Sequence, residues 1–134
     1  MARRLIIDTG VLIASERTRT TLAEVLDAAD DLVIAAVTVA ELRTGIELAT
    51  EPPRAARAEF LLRVLETLPV EPYDPAVAEA HGRLLAAVHR SGRKRGAHDL
   101  IIAATALATN RTILTADRKA LFGDLPGIAC LTVG

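Results

Sequence analysis

The chain has 134 residues, 51% of them apolar and 2% aromatic, and its 16 lysines and arginines nearly balance 17 aspartates and glutamates. That length fits one domain over residues 1–134 with a substantial core, while a net charge of −1 excludes a nucleic-acid binder driven by a global basic field. The shortage of aromatic rings argues against base stacking as the main mode of RNA or DNA contact, so any such contact is local and made to the backbone. The lone cysteine, Cys130, permits no disulfide within the chain, suits a reducing cytoplasm and is expected as a small buried hydrophobe. No secretory leader is read, and the longest apolar run, Leu100 to Ala108, is about half of a bilayer crossing; a cytoplasmic location with no membrane partner is expected.

In chain order, Leu5-Ile6-Ile7 is an apolar run that stops at Asp8, the pattern of a strand buried on both faces in a parallel sheet. Helices are predicted over Val11 to Glu16 and Thr20 to Ala29. Leu32 to Val37 reads as a second strand, and Thr38 then starts a helix with Val39, Leu42, Ile46 and Ala49 on one face. After Glu51-Pro52-Pro53 a helix runs from Arg54 to Leu68, and the prolines around Val70 confine the Pro69 to Tyr73 segment to a brief edge strand. Asp74-Pro75 caps a helix reaching Arg90, followed by the basic loop Ser91 to Gly96 and a helix from His98 to Ala108. Thr112 to Thr115 is a strand, Asp117 to Phe122 a short helix and Ile128 to Val133 the last strand. Strands alternating with helices imply an α/β fold whose parallel sheet is covered on both faces.

In such a sheet the carboxyl ends of strands and the starts of the helices that follow share one edge, where α/β folds bind ligands. Asp8, Glu41 and Asp117 reach that edge directly, and Asp99, in the first turn of the helix feeding Thr112 to Thr115, is expected there too. Four converging carboxylates repel one another and call for a divalent cation; hard oxygen ligands with little Cys or His select Mg²⁺ or Mn²⁺. Blander readings exist. Thr38-Val39-Ala40-Glu41 fits a capping box, and Asp99 and Asp117 are acids that suit a helix start. Asp8 has no such structural role in the sequence. His81, His89 and His98 match no zinc spacing and read as structural or surface residues.

These pieces resemble the PIN domain, and within it the VapC-type ribonuclease toxins of bacterial toxin–antitoxin systems. The resemblance spans essentially the whole chain: Ile7-Asp8-Thr9 with Val11-Leu12-Ile13, Thr38-Val39-Ala40-Glu41-Leu42 with Gly45, His98-Asp99-Leu100-Ile101-Ile102-Ala103-Ala104-Thr105-Ala106, and Leu114-Thr115-Ala116-Asp117. It implies a three-layer α/β/α PIN-like fold with a central parallel sheet of four to five strands. By position, the metal-site acids fall on Asp8, Glu41, Asp99 and Asp117, with Thr115 as an orienting hydroxyl. Gly10 stands where the family usually has Ser or Asn, and Ala120 where many members carry a further acid.

The resemblance further implies a Mg²⁺- or Mn²⁺-dependent endoribonuclease acting on RNA, a homodimer, and a VapB-like antitoxin whose C-terminal segment lies in a groove near the site. Leu42 and Ile46, with Phe60, Leu61, Leu62 and Leu65, offer apolar surface for such a segment, or serve the core. Arg43, Arg90, Arg93, Lys94, Arg95 and Arg118 are candidates to attract the phosphate backbone, unless the Arg90 to Arg95 run is a solvated loop. An aspartic-protease reading of Asp8-Thr9-Gly10 conflicts with the α/β pattern, and a haloacid-dehalogenase reading lacks an acid at Gly10. A catalytically silent PIN-fold binding module is the remaining alternative.

Overall fold

The apolar run after Arg3 forms β1 (Arg4–Ile7), and the chain turns at once into α1 (Thr9–Arg17) in a computed structural model that describes residues 2–17, 26–116 and 122–133. Then follow β2 (Asp31–Ala35), α2 (Ala36–Leu48), α3 (Pro53–Thr67), β3 (Val70–Glu71), α4 (Pro75–Ser91), α5 (Ala97–Thr109), β4 (Thr112–Thr115), a 3₁₀ turn (Phe122–Asp124) and β5 (Cys130–Thr132). The strands form one five-stranded sheet in the order β3-β2-β1-β4-β5, every pairing parallel. β1 is central, with Leu5 opposite Leu32 on one side and Thr112 on the other. Strand order reverses at β1, so the crevice favoured for ligands opens at the carboxyl ends of β1 and its neighbours.

Strand alternation builds the layers. Ile6, Val33 and Ile113 pack against Val77, Ala80 and Leu84 of α4 and Leu100, Ile102 and Ala103 of α5. Ile7, Ile34 and Leu114 face the other way, onto Val11 and Leu12 of α1, Leu42 and Ile46 of α2, and Leu61 and Val64 of α3. Because successive side chains on a strand point to opposite faces, an apolar run of consecutive residues is what a sheet with helices on both sides demands. Each fully buried Leu or Ile contributes about 1.5–3 kcal/mol. α5 is buried almost all round, which its Leu-Ile-Ile-Ala-Ala sequence announces. At the opposite edge from the crevice, Arg111 Nη1 donates to the carbonyls of Leu5 and Asp31, at 3.3 and 3.1 Å, tying β1 to β2.

Several boundaries differ from expectation. α2 begins at Ala36, not Thr38, and its N-cap, Ala35, makes no side-chain capping bond, so Thr38 is the third helical residue and the Thr38–Glu41 capping box does not form. Cys130 is exposed, not buried: β5 is an edge strand whose first and third residues face outward. The helix expected over Thr20 to Ala29 falls largely on residues 18–25, outside the described residues, and Ala28-Ala29 is a turn. Residues 117–121 also lie outside them, so the expected Asp117 to Phe122 helix is represented by the 3₁₀ turn that starts at Phe122. Elsewhere the reading holds, as at α4, where the Asp74 carboxylate accepts the Val77 N–H at 2.9 Å and Gly92 at φ 70° ends the helix in the left-handed region. Among the described residues no helix is long and apolar enough to cross a membrane.

Candidate active site at the carboxyl edge of the sheet

Asp8 stands at the reversal point, directly after central strand β1. Its backbone N–H donates to Leu114 O of β4 at 2.9 Å, and its carbonyl accepts the Val11 N–H at 3.0 Å, so the residue is fixed at the strand-to-helix corner. It is 5% exposed. Thr115, the last residue of β4, donates its hydroxyl to Asp8 Oδ2 at 2.9 Å, and the Thr9 N–H adds a bond to the same carboxylate. Asp8 therefore also helps to satisfy the start of α1, a structural role the sequence did not suggest. Among the described residues no ion pair reaches it. Burial pushes its pKa up to about 6; the Thr115 bond opposes the rise, the charge of Asp99 adds to it, the Thr9 N–H again opposes it, and the charge of Glu41 adds further. A buried carboxylate whose pKa is raised to about 6, with two more carboxylates close enough to add to the rise, is a place where positive charge is missing.

Glu41 lies on α2, one and a half turns into the helix, where its carboxylate reaches across to α1. Thr9 donates its hydroxyl to Glu41 Oε1 at 2.8 Å. The same Thr9 oxygen lies 2.9 Å from the buried Thr38 hydroxyl. Since Thr9 has one hydroxyl proton and gives it to Glu41, Thr38 donates to Thr9, forming a directed relay Thr38→Thr9→Glu41. Glu41 Oε2 lies 3.4 Å from Nδ1 of His98, whose side chain is 59% exposed. The sequence reading gives neither Thr9 nor Thr38 a role in the site. Both sit within the segments that match the family, and the spacing of Thr38 three residues before Glu41 mimics a capping box. His98 is a surface residue, as expected, but one in contact with a site carboxylate.

Asp99 is in the first turn of α5. Its carboxylate folds back over Gly96, the N-cap, so that a Cβ placed there would come within 2.8 Å of Asp99 Oδ2. A shallow cleft of about 350 Å³ is lined by Glu41, Gly96, Ala97, His98 and Asp99. Asp8, Glu41 and Asp99 thus come to one edge. Asp117 lies outside the described residues, as do Arg118 and Ala120. Among the described residues no three aspartate, glutamate, histidine or cysteine side chains are close enough to enclose an ion by themselves. That still fits a small hard cation, which keeps several waters and takes one or two carboxylates together with substrate phosphate, and fits a soft-metal cage poorly.

The remaining candidates separate. Leu42, Ile46 and Leu61 belong to the core, whereas Leu62 and Leu65 are exposed. Beside the carboxylates a groove of about 390 Å³ runs between α1, α2 and α3, lined by Ile13, Leu42 and Phe60 with Glu16, Glu41 and Arg57. Arg43 pairs with Glu47 at 2.8 Å one turn along α2. In the basic loop Arg93 remains exposed while Arg95 folds inward.

The PIN-domain model matches residues 5–127. Ribonuclease VapC5 of Mycobacterium tuberculosis (strain ATCC 25618 / H37Rv) is 37% identical over 131 residues, covering 96% of this chain and 92% of that protein. The structure of VapBC-5 from the same species, a member of the VapBC family of toxin–antitoxin systems, superposes with a TM-score of 0.78 at 27% identity over 97% of both chains. VapBC2 of Rickettsia felis, solved with a promoter DNA fragment, shares the fold at a TM-score of 0.87 and 20% identity, over 98% of this chain and 99% of that one. With the carboxylate edge, the five-stranded parallel sheet and a family match over nearly its whole length, the chain belongs to the PIN-domain family and, within it, to the VapC-type toxins.

Proposed function

We propose that this chain is a Mg²⁺- or Mn²⁺-dependent endoribonuclease, the toxin of a pair whose VapB-like antitoxin holds it silent. The observation that carries the reading is Asp8: a buried carboxylate at the sheet's reversal point, with no cationic side chain against it among the described residues and with Glu41 and Asp99 at the same edge. Asp8, Glu41 and Asp99, joined by Asp117, would hold the ion. When bound, such an ion polarises the scissile phosphate and lowers the pKa of water.

The protein's own groups do the rest. Thr115 anchors Asp8 Oδ2 and keeps that carboxylate from rotating. Thr9 anchors Glu41 through Oε1, so Oε2 is the atom offered to accept a proton from the attacking water. Asp99, held over Gly96 at the start of α5, completes the acidic wall. The groove between α1, α2 and α3 is suited to an apolar antitoxin segment carrying a basic residue, since it combines Ile13, Leu42 and Phe60 with Glu16 and Glu41. Homodimerisation, implied by the family, belongs to the same proposal.

Purified protein incubated with single-stranded RNA, with and without Mg²⁺ or Mn²⁺, tests the reading. Internal cleavage that stops on chelation and is absent from Asp8→Asn is the expected result. Inertness toward RNA under both metals, with an intact fold, would overturn it in favour of a silent binding module.

A further inference from the structure

The basic loop after α4 does not simply extend into water. Arg95 is turned inward until its side chain is only 10% exposed, and its Nε, shielded from solvent, donates to nothing among the described residues. One of its terminal nitrogens reaches the Lys94 carbonyl at 3.4 Å and the other lies 3.9 Å from Asp124 Oδ2. Arg93 approaches the same carboxylate oxygen at 3.6 Å. Both separations exceed hydrogen-bonding range, so among the described residues two guanidiniums share one carboxylate without a bond to it, leaving a net positive charge there. A buried guanidinium with unmet donors is costly unless something completes its shell.

These groups line a pocket of about 240 Å³ between the end of α4, the loop and the 3₁₀ turn, walled by Val88 and Leu125 and edged by Ser91. Its position follows from the chain: Arg95 is followed directly by Gly96, the N-cap of α5, and α5 carries Asp99 in its first turn. Arg95 thus lies four positions before Asp99 and immediately before Gly96, which lines the acidic cleft.

We infer that this pocket is a subsite for one backbone phosphate of the RNA, next to the phosphate that is cut. The inference rests on the proposed ribonuclease reading for its substrate, but the anion chemistry stands on the pocket alone. A phosphodiester oxygen in the pocket accepts from the terminal nitrogens of Arg95, with Arg93 at the rim. It also resolves an electrostatic difficulty: RNA must be drawn toward a cluster of carboxylates, and a fixed positive site beside the cluster holds the strand there without placing a cation among the acids.

The test uses the full chain without divalent metal, so no cleavage intervenes. Amide chemical shifts are titrated with inorganic phosphate, and binding of a ten-nucleotide single-stranded RNA is measured against salt. Phosphate is expected to shift the amides of residues 91–96, with Arg95→Gln weakening it about tenfold and lowering the RNA salt slope by about 0.7, the loss of one phosphate contact. Because Arg95→Gln replaces an inward group, Asp124→Asn provides a change in the opposite direction: removing the competing carboxylate should tighten phosphate binding several-fold, which a damaged fold would not do. Equal phosphate binding by wild type and Arg95→Gln, or an unchanged RNA salt slope, overturns the subsite. Wild-type protein that binds phosphate through Arg95 yet never cleaves RNA once Mg²⁺ or Mn²⁺ is added would overturn the ribonuclease reading and leave the anion pocket standing. Cleavage without Arg95-dependent binding overturns the pocket alone.

Discussion

Thr9 donates its hydroxyl to Glu41 across 2.8 Å, joining the first residue of α1 to the middle of α2. Thr38 stands behind Thr9 at 2.9 Å, so the proton order along the three residues is fixed and Glu41 Oε1 is a pure acceptor. Glu41 is thereby held as an oriented carboxylate in a helix interior, where a capping role is not available to it.

Replacing Thr9 by valine keeps its shape and removes the donor. The Thr38 hydroxyl then loses its acceptor and Glu41 its anchor, at a cost of about 1–2 kcal/mol in stability by thermal melting. RNA cleavage should fall by about tenfold, while Thr9→Ser should recover most of both. Glu41→Gln, whose amide oxygen still accepts from Thr9, should fold nearly as wild type and lose about two orders of magnitude in single-turnover cleavage. Near-wild-type cleavage by Glu41→Gln would remove it from the site.

Asp8 predicts a pH dependence whose sign follows from its raised pKa of about 6 against an ordinary 3.8. Without metal, the folded protein retains a proton that the unfolded chain has lost across roughly pH 4 to 6, so stability falls as pH rises through that window, by at most about 3 kcal/mol from this group. Asp8→Asn should flatten that slope and melt higher than metal-free wild type at pH 7.5. Millimolar Mg²⁺ or Mn²⁺ should raise the wild-type melting temperature at that pH and leave Asp8→Asn nearly unmoved, because a ligand that binds the native state stabilises it by mass action. Indifference of the wild type to both ions would remove the metal site.

The layers and the site were legible in the sequence to different depths. Consecutive Leu5-Ile6-Ile7 and the all-round apolar α5 declared strands and helices buried on both sides, and the position of Asp8 after such a strand placed it at the crevice. What the sequence hid were relationships that depend on packing between helices. Thr38 looks like an N-cap because threonine three residues before glutamate has that form, yet the helix starts two residues earlier and turns the hydroxyl toward Thr9. Cys130 looks like core because its neighbours are apolar, but an edge strand has an open face. Arg95 reads as one charge in a solvated run, and nothing local announces that Asp124, twenty-nine positions on, lies beside it.

Thr115 should set the ionisation of Asp8 under working conditions. Its hydroxyl stabilises the charged carboxylate, so Thr115→Val should raise the Asp8 pKa and move the acid limb of the kcat/KM profile to higher pH, with Thr115→Ser restoring it. A profile unmoved by Thr115→Val would mean that Asp8 does not govern that limb.

Gly96 separates folding from positioning in a single residue. Its backbone, φ −60° and ψ 136°, is open to any L-residue, so alanine there brings no backbone strain and, by narrowing the unfolded ensemble, costs less than about 1 kcal/mol or even stabilises. The added methyl would nevertheless stand 2.8 Å from Asp99 Oδ2 and 3.4 Å from its Cγ, closer than contact allows, and the movable partner is the Asp99 side chain. The carboxylate must swing away from its place over the start of α5. Gly96→Ala should therefore melt within a few degrees of wild type while cleaving RNA about ten to a hundred times more slowly, as expected for a displaced site group. Gly92→Ala gives the opposite stability signature, costing about 1 kcal/mol, since its φ of 70° is strained for a residue with a Cβ. Full activity in a well-folded Gly96→Ala protein would show that the observed placement of Asp99 is not the one the reaction uses.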